Sequence, residues 1–113
     1  MYLESLKNLT SKMPFKAQYE NFIGGKWVAP IDGQYFDNIS PLTGKPFCRV
    51  ARSNEKDVNL ALDAAHAARE AWGKTSTTTR SNILLKIADI MESNLELIAT
   101  AETIHNGKPI RET

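Results

Sequence analysis

Hydrophobic positions in the C-terminal third of the chain recur every three or four residues, which is the period of an amphipathic helix. The pattern runs through residues 80–109. Its apolar members are Ile83, Leu84, Leu85, Ile87, Ala88, Ile90, Met91, Leu95, Leu97, Ile98, Ala101 and Ile104. They cover so much of the helix surface that we expect contact with two neighbouring elements rather than one.

The same stretch carries signals for where its helices begin and end. Ser93 followed by Glu96 has the spacing of a capping box, so the stretch is expected to divide into two helices near residues 93–94. Gly107 is expected to end the second helix, because glycine adopts the left-handed conformation at little cost. Pro109 suits the first position of a further helix. Only residues 110–113 follow it, so the sequence is expected to be cut short within that helix.

A second helical pattern precedes this stretch. Asn54 or Ser53 is the expected N-cap, with acidic residues in the first turn, where the helix dipole favours them. Gly73 is expected to end this helix, and Ser76 to cap the next one. The expected inner row is rich in alanine and consists of Val58, Ala61, Leu62, Ala65, Ala68 and Trp72.

Strand signals occupy the region before the helices. Residues 21–28 place β-forming residues on both sides of Gly24-Gly25, which is the pattern of a two-residue hairpin turn. Residues 35–39 and 47–51 flank a turn at 41–44 and predict a second hairpin. Two successive hairpins predict one antiparallel layer. The chain alone is thus expected to form two β-hairpins followed by three helical segments, after a loosely held tail at 1–18.

Composition excludes several classes of function. The formal net charge of +1 gives no electrostatic reason to bind nucleic acid or an anionic membrane. No apolar run reaches the eighteen or so residues of a membrane helix, and the first residues lack the apolar core of a secretory signal. One cysteine and two histidines exclude a zinc-finger type of metal site and an internal disulfide. A reducing cytoplasm is therefore the expected location.

Four motifs in order carry a resemblance to a known family. They are F-I-G-G-K-W-V at 22–28, N-I-S-P-L-T-G-K at 38–45, Arg80 leading into L-L-K-I-A-D at 84–89, and E-T at 102–103 with N-G-K-P at 106–109. Together they resemble the N-terminal part of NAD(P)-dependent aldehyde dehydrogenases over residues 19–113. The sequences at residues 35–41 and 102–104 most resemble the bacterial short-chain aliphatic, acetaldehyde-type branch.

The resemblance implies an α/β enzyme with a Rossmann-like cofactor domain, a catalytic domain and an oligomerisation extension. Residues 19–113 would be an incomplete N-terminal part of the cofactor-binding domain. In this family a cysteine thiolate attacks the aldehyde, hydride passes to NAD(P)+, and a glutamate activates the water that hydrolyses the thioester. The motifs around that cysteine and glutamate have no match here, and neither does a glycine-rich phosphate loop. We therefore expect the isolated chain to be inactive and to bind no cofactor by itself.

Candidate residues within the chain are few. Cys48 lies in a predicted strand without a predicted base nearby, so a structural or half-buried thiol is expected rather than a nucleophile. His66, on the first helix, is expected to face solvent or a boundary. Lys108, Arg111 and Arg80 are expected to be solvated charges or helix caps. The polar run at 75–79 is expected to be a loop and helix start rather than a phosphate cradle.

His105 departs from the family pattern. The resemblance implies an aspartate at this position, which in some members joins backbone carbonyls near Asn38 and Ile39 to hold a structural sodium or potassium ion. Such cations prefer oxygen ligands, whereas an imidazole offers nitrogen or a positive charge. We expect a degenerate cation site at Asn38, Ile39 and His105, with metal binding weakened or lost.

Two hypotheses for the function follow. The first is the N-terminal fragment of an aldehyde dehydrogenase, with the remainder of that polypeptide or other subunits as partners and an aldehyde as the substrate of the complete enzyme. The second is a stand-alone helical interaction module. Such a module would self-associate through the apolar face at 84–98 or dock on a full-length dehydrogenase subunit.

Overall fold

A computed structural model describes residues 13–113 of the chain. Five short strands precede three helices in the order that the sequence predicts. The elements are β1 (Gln18–Tyr19), β2 (Asn21–Ile23), β3 (Lys26–Val28), β4 (Tyr35–Ile39), β5 (Pro46–Ala51), α1 (Glu55–Gly73), α2 (Thr77–Ser93), α3 (Leu95–Asn106) and a 3-10 helix (Ile110–Glu112). Both hairpins and all three helical segments are therefore confirmed. Residues 1–12 of the expected tail lie outside the described residues.

The strands form two sheets rather than the single antiparallel layer expected from the sequence. β2 and β3 pair with each other around Gly24 and Gly25, whose φ angles of 62° and 78° fit a primed turn. The second sheet has the order β1-β5-β4, and β1 runs parallel to β5, with Gln18 opposite Arg49. A parallel pair needs a long connection. The first hairpin lies within that connection and forms a two-stranded sheet of its own.

The start of α1 is fixed by a capping box that also holds a loop. The Asn54 side chain accepts the Lys56 N–H, and the Asp57 carboxylate accepts the Asn54 N–H. The other carboxylate oxygen of Asp57 accepts the Ile31 N–H at 2.8 Å. Asp57 is only 3% exposed, so this carboxylate joins α1 to the loop before β4 from a buried position.

The corner between α1 and α2 is closed by side chains that satisfy helix ends. Ser76 caps α2 by accepting the Thr79 N–H, as expected. The Arg80 guanidinium donates to the carbonyl of Trp72 at 2.9 Å and to that of Gly73 at 3.3 Å. A cation at the carbonyl end of a helix is favourable. Arg80 therefore acts as a C-terminal cap of α1.

The division between α2 and α3 falls where the sequence predicts it, but the expected capping box is wrong. Ser93 is the last residue of α2, and its hydroxyl donates backwards to the Asp89 carbonyl at 2.8 Å. Asn94 occupies the N-cap of α3 without a side-chain cap bond. Because Ser93 is still helical, its side chain cannot point forward to α3. Gly107, with φ of 79°, ends α3 as expected.

The most buried part of the described residues lies where the β4–β5 turn meets α3. Ser40 is fully buried, and its hydroxyl donates to the Ile104 carbonyl at 2.6 Å. Ile104 itself is only 1% exposed. Pro41 lies so close to Gly107 that a Cβ there would be 3.3 Å from its ring. This junction attaches the hairpin to the C-terminal end of α3.

The apolar face of α2 is not covered by any residue in the described range. Every residue of α2 except Arg80 is exposed. Leu84 is 67% exposed, Ile90 52% and Met91 53%. The part of the predicted face that lies on α3 packs on the β4–β5 hairpin, where Ile104 is buried. The part on α2 has no such neighbour among residues 13–113. None of the helices in this range is long and apolar enough to cross a membrane.

The Ser40→Ala substitution tests the junction between hairpin and helix. It leaves the buried Ile104 carbonyl without its side-chain donor, and an unsatisfied buried polar group costs about 1–3 kcal/mol. We expect a loss of that size in the free energy of unfolding measured in urea. Ser81→Ala, at an exposed position of α2, is the control and should change stability little. Equal stability of the two variants would contradict the assignment.

Candidate functional site

A groove lies between the β4–β5 hairpin and α3, and we call it the α3 groove. Its volume is about 410 Å³. The hairpin side contributes Asn38, Phe47, Cys48 and Val50, and the helix side contributes Ile98, Ala101, Glu102 and His105. Phe15 and Tyr19, from the segment leading into β1 and from β1 itself, complete the wall. The lining is mainly apolar, with a few polar groups.

A β-bulge positions the hairpin side of the groove. Asn38 pairs with Cys48, but the next residue, Ile39, pairs with Pro46. The shift leaves Phe47 as an extra residue on β5. Two adjacent residues of a regular strand point to opposite faces. Because of the bulge, Phe47 and Cys48 both line the groove.

Aromatic contacts close one end of the α3 groove. The Phe47 ring lies 5.2 Å from the Phe15 ring, measured between centroids. The His105 ring meets Phe47 edge-on, with centroids 6.4 Å apart. Glu102 lies one turn before His105 on α3, and its carboxylate accepts a hydrogen bond from the Asn106 amide. The polar groups at this end are thus already engaged with neighbours on α3 or packed on a ring.

Cys48 has the surroundings of an unreactive thiol. It is only 7% exposed, and this burial raises the pKa of its thiol above the ordinary value. A hydrogen bond with Asn38 opposes the shift of the pKa but is the smaller effect. Reactive cysteines instead have lowered pKa values in electropositive, partly exposed sites. The structural role expected for Cys48 remains a prediction that these surroundings support.

The other candidate residues lie apart from the groove, except His105. His66 is exposed on α1. Arg111 is exposed and pairs with Glu112 at 3.7 Å. Lys108 is exposed beyond the end of α3. In the polar run at 75–79, the Thr75 hydroxyl donates to the Trp72 carbonyl at 2.7 Å, which is a helix-ending contact.

The three residues of the expected cation site are only partly brought together. Asn38 and His105 line the α3 groove, whereas Ile39 is 55% exposed and does not border the described groove. The neighbouring Ile104 carbonyl is already an acceptor for Ser40. Within residues 13–113 there is no group of three or more His, Cys, Asp or Glu side chains placed to hold a metal.

Sequence patterns did not single out Glu102 or the aromatic residues before β2 as parts of this groove. Glu102 carried one usable signal, because its three-residue spacing from His105 places both on one side of a helix. Phe15 carried none. Its position depends on the parallel pairing of β1 with β5 and on the bulge at Phe47, and neither feature has a sequence pattern of its own.

Comparison with known proteins identifies the family. The profile of the aldehyde dehydrogenase family matches residues 27–113, which is most of the chain. The chain belongs to the aldehyde dehydrogenase family. The resemblance inferred from the four motifs is therefore confirmed.

Individual aldehyde dehydrogenases match closely over a limited part of their length. A long-chain-aldehyde dehydrogenase of Acinetobacter is 67% identical over 91% of this chain and 20% of its own length. Acetaldehyde dehydrogenase 2 of Cupriavidus necator is 58% identical over the whole chain and 22% of its own length. The chain thus spans about a fifth of the length of the curated relatives it matches.

A solved structure shows the same fold. The indole-3-acetaldehyde dehydrogenase of P. syringae, in a complex with NAD+, superposes with a TM-score of 0.86 at 27% identity. The match covers 97% of this chain and 22% of that one. The two sheets and three helices described above are therefore a recognised part of the aldehyde dehydrogenase fold.

The raised pKa of Cys48 predicts slow thiol chemistry. Because the thiolate is the reactive form, burial that raises the pKa leaves less thiolate at neutral pH. We expect the folded chain to react with an aromatic disulfide reagent several-fold more slowly than the urea-unfolded chain at pH 7.5. The difference should narrow as the pH rises through the pKa of the folded thiol. Equal rates in the folded and unfolded chain would show that the thiol is accessible and its pKa ordinary.

Proposed function

We propose that this chain is the N-terminal part of the cofactor-binding domain of an aldehyde dehydrogenase. The complete enzyme oxidises an aliphatic aldehyde to a carboxylic acid with NAD(P)+, through a thioester on a cysteine that lies outside these residues. The 113 residues are inactive alone. The named substrates of the two sequence relatives, acetaldehyde and long-chain aldehydes, support the aliphatic class. The single thiol supports a reducing cytoplasm as the location.

The exposed face of α2 is the observation that carries this proposal. A free-standing domain buries the apolar side of its helices against other elements. Here Ile83, Leu84 and Ile87 are 42%, 67% and 48% exposed, and no described residue covers them. Burial of one such side chain contributes roughly 1.5–3 kcal/mol. We therefore infer that the apolar side of α2 packs against other residues of a larger dehydrogenase.

The described residues do not fit the phosphates of a nicotinamide cofactor. The strand-to-helix connection from β5 to α1 is Arg52-Ser53-Asn54, which contains no glycine. Asp57 accepts backbone N–H groups at the start of α1, and the Asp32 carboxylate pairs with Lys56 beside it at 2.8 Å. These carboxylates occupy the position at a helix N-terminus that a phosphate would need. We therefore assign no step of hydride transfer to this chain's own residues.

In the proposed enzyme these residues have a structural role and take no part in the reaction. Ser40 and Ile104 connect the β4–β5 hairpin to α3, while Arg80 and Asp57 fix the two ends of α1. Together these contacts support one surface that presents the apolar side of α2. In the proposed enzyme this surface packs against the remaining part of the cofactor-binding domain.

A chimaera tests the proposed function. The matching 113-residue stretch of the Cupriavidus acetaldehyde dehydrogenase is replaced with this chain, which is 58% identical to it. We expect the chimaera to form NADH from acetaldehyde at a rate within about tenfold of the intact enzyme, because the nucleophile and the cofactor loop come from the relative. The 113-residue chain alone should form none.

Two outcomes would contradict this proposal. One is dehydrogenase activity in the purified 113-residue chain. The other is a soluble, folded chimaera without activity. A monodisperse, cooperatively melting dimer of the isolated chain would instead favour the stand-alone interaction module.

We further propose that the cation site of some family members is weak or absent here. The Ile104 carbonyl already accepts the Ser40 hydroxyl. His105 packs its ring on Phe47 and supplies nitrogen where a hard cation requires oxygen. The residues present therefore do not fit a sodium or potassium ion.

The His105→Asp substitution in the chimaera tests this cation proposal. After exchange into a potassium-free buffer, we expect the unsubstituted chimaera to retain far less than one potassium ion per subunit, measured by flame photometry. His105→Asp should increase the retained potassium, because a carboxylate replaces the imidazole. His105→Asn, which adds only a neutral oxygen, is the matched control. Stoichiometric potassium beside His105, located by anomalous scattering in the unsubstituted chimaera, would overturn the proposal.

A further inference from the structure

One side of α2 forms a continuous apolar face, defined by Ile83, Leu84, Ile87, Ala88, Ile90 and Met91. We call it the α2 face. At about 100° per residue, these six positions span an arc of about 160°. Lys86 and Asp89 lie outside this arc. A helix that packs on one side of a core needs an apolar stripe of only about 100°, so the α2 face is wide enough for a large partner surface.

Pairing of the α2 face with the same face of a second copy would bury too little area for a stable dimer. A helix of 17 residues is about 25 Å long, and an arc of 160° at a radius of about 5 Å is about 14 Å wide. Two copies packed face to face would bury about 700 Å² in total. Stable interfaces bury about 1,200 Å² or more. Such a dimer would also leave Val58, Leu62 and Trp72 of α1 exposed, each by about half.

The comparison structure indicates which partner fits. Its chain carries the same fold, with a TM-score of 0.86, in a polypeptide more than four times as long. The described part of the present chain therefore has the backbone conformation that the matching segment has inside that dehydrogenase. A surface already in this conformation has little reorganisation to undergo on binding. This favours association even without a peptide bond between the two parts.

We propose that the α2 face binds, in trans and without covalent connection, an aldehyde dehydrogenase polypeptide that lacks its own N-terminal fifth. The partner is the remaining part of a family member. We expect an intact subunit not to bind, because in the proposed arrangement its own N-terminal segment occupies the surface that the α2 face would need. This inference rests on the proposed function. It goes beyond that function, because it states that contacts of the α2 face hold the two parts together even without a peptide bond between them.

Co-expression of the two parts tests the inference. The full 113-residue chain is produced together with a Cupriavidus acetaldehyde dehydrogenase from which the matching 113-residue stretch is removed. We expect the two polypeptides to co-elute in size-exclusion chromatography and to form NADH from acetaldehyde, whereas neither part alone does so. Intact Cupriavidus enzyme should not co-elute with the chain.

Substitutions locate the contact on the α2 face. The double variant Leu84→Asp/Ile87→Asp places two carboxylates on the face, and Thr78→Asp/Asn82→Asp places the same two charges on the polar side of α2. All four positions are exposed in the chain itself, so far-UV circular dichroism of the isolated chain should be the same for both variants. We expect the first variant to lower the recovered NADH formation at least about tenfold, because a buried unpaired charge is costly. The second variant should retain it.

The outcomes separate this inference from the proposed function. An active covalent chimaera combined with no association in trans would uphold the proposed function and overturn the inference. An inactive chimaera would overturn both. Equal recovery with the two double variants would also overturn the inference, because it would place the contact away from the α2 face.

Discussion

The contact between Ser40 and Ile104 is the interaction on which the described arrangement depends. The strands are only two to six residues long, and α2 has an exposed apolar face, so contacts between the elements are few. The Ser40 hydroxyl, buried completely, donates to a carbonyl near the C-terminal end of α3 at 2.6 Å, and Pro41 packs against Gly107 at the same point. The turn that joins β4 and β5 is thereby attached to α3. The α3 groove lies between these two attached elements.

Much of the local structure could be predicted from residue patterns. Gly24-Gly25 specified a tight hairpin, Asn54 and Ser76 specified helix starts, and Gly107 specified a helix end, because each residue's conformational preference acts locally. The failed expectation at Ser93 also has a local cause. Its hydroxyl found an acceptor four residues back within α2, in competition with the forward cap that its spacing favoured.

The long-range arrangement could not be predicted in the same way. Pairing of β1 with β5 depends on Gln18 and Arg49, which are far apart in sequence and carry no distinctive pattern. The bulge that places both Phe47 and Cys48 in the α3 groove depends on a shift of one residue in register. For the candidate site, the sequence indicated Asn38 and His105, which do border one groove. It did not indicate that Ile39 stays outside it.

The polar and titratable side chains of this chain make structural contacts rather than forming a reactive site. The Asp57 carboxylate at the start of α1 accepts backbone N–H groups, the one thiol is buried, and the histidines are exposed or near an aromatic ring. These are structural roles. By contrast, the large apolar side chains of α2 remain exposed among residues 13–113. This exposure favours the proposal that the chain is part of a larger dehydrogenase.

Hydrogen–deuterium exchange of α2 tests this central claim most directly. The backbone amides of residues 81–93 are compared between the isolated chain and the chimaera with the remainder of the Cupriavidus enzyme. Helical amides exchange slowly only when opening is costly, and packing of the apolar face adds to that cost. We predict fast exchange in the isolated chain and strong protection in the chimaera. Equally strong protection in the isolated 113-residue chain would contradict the account.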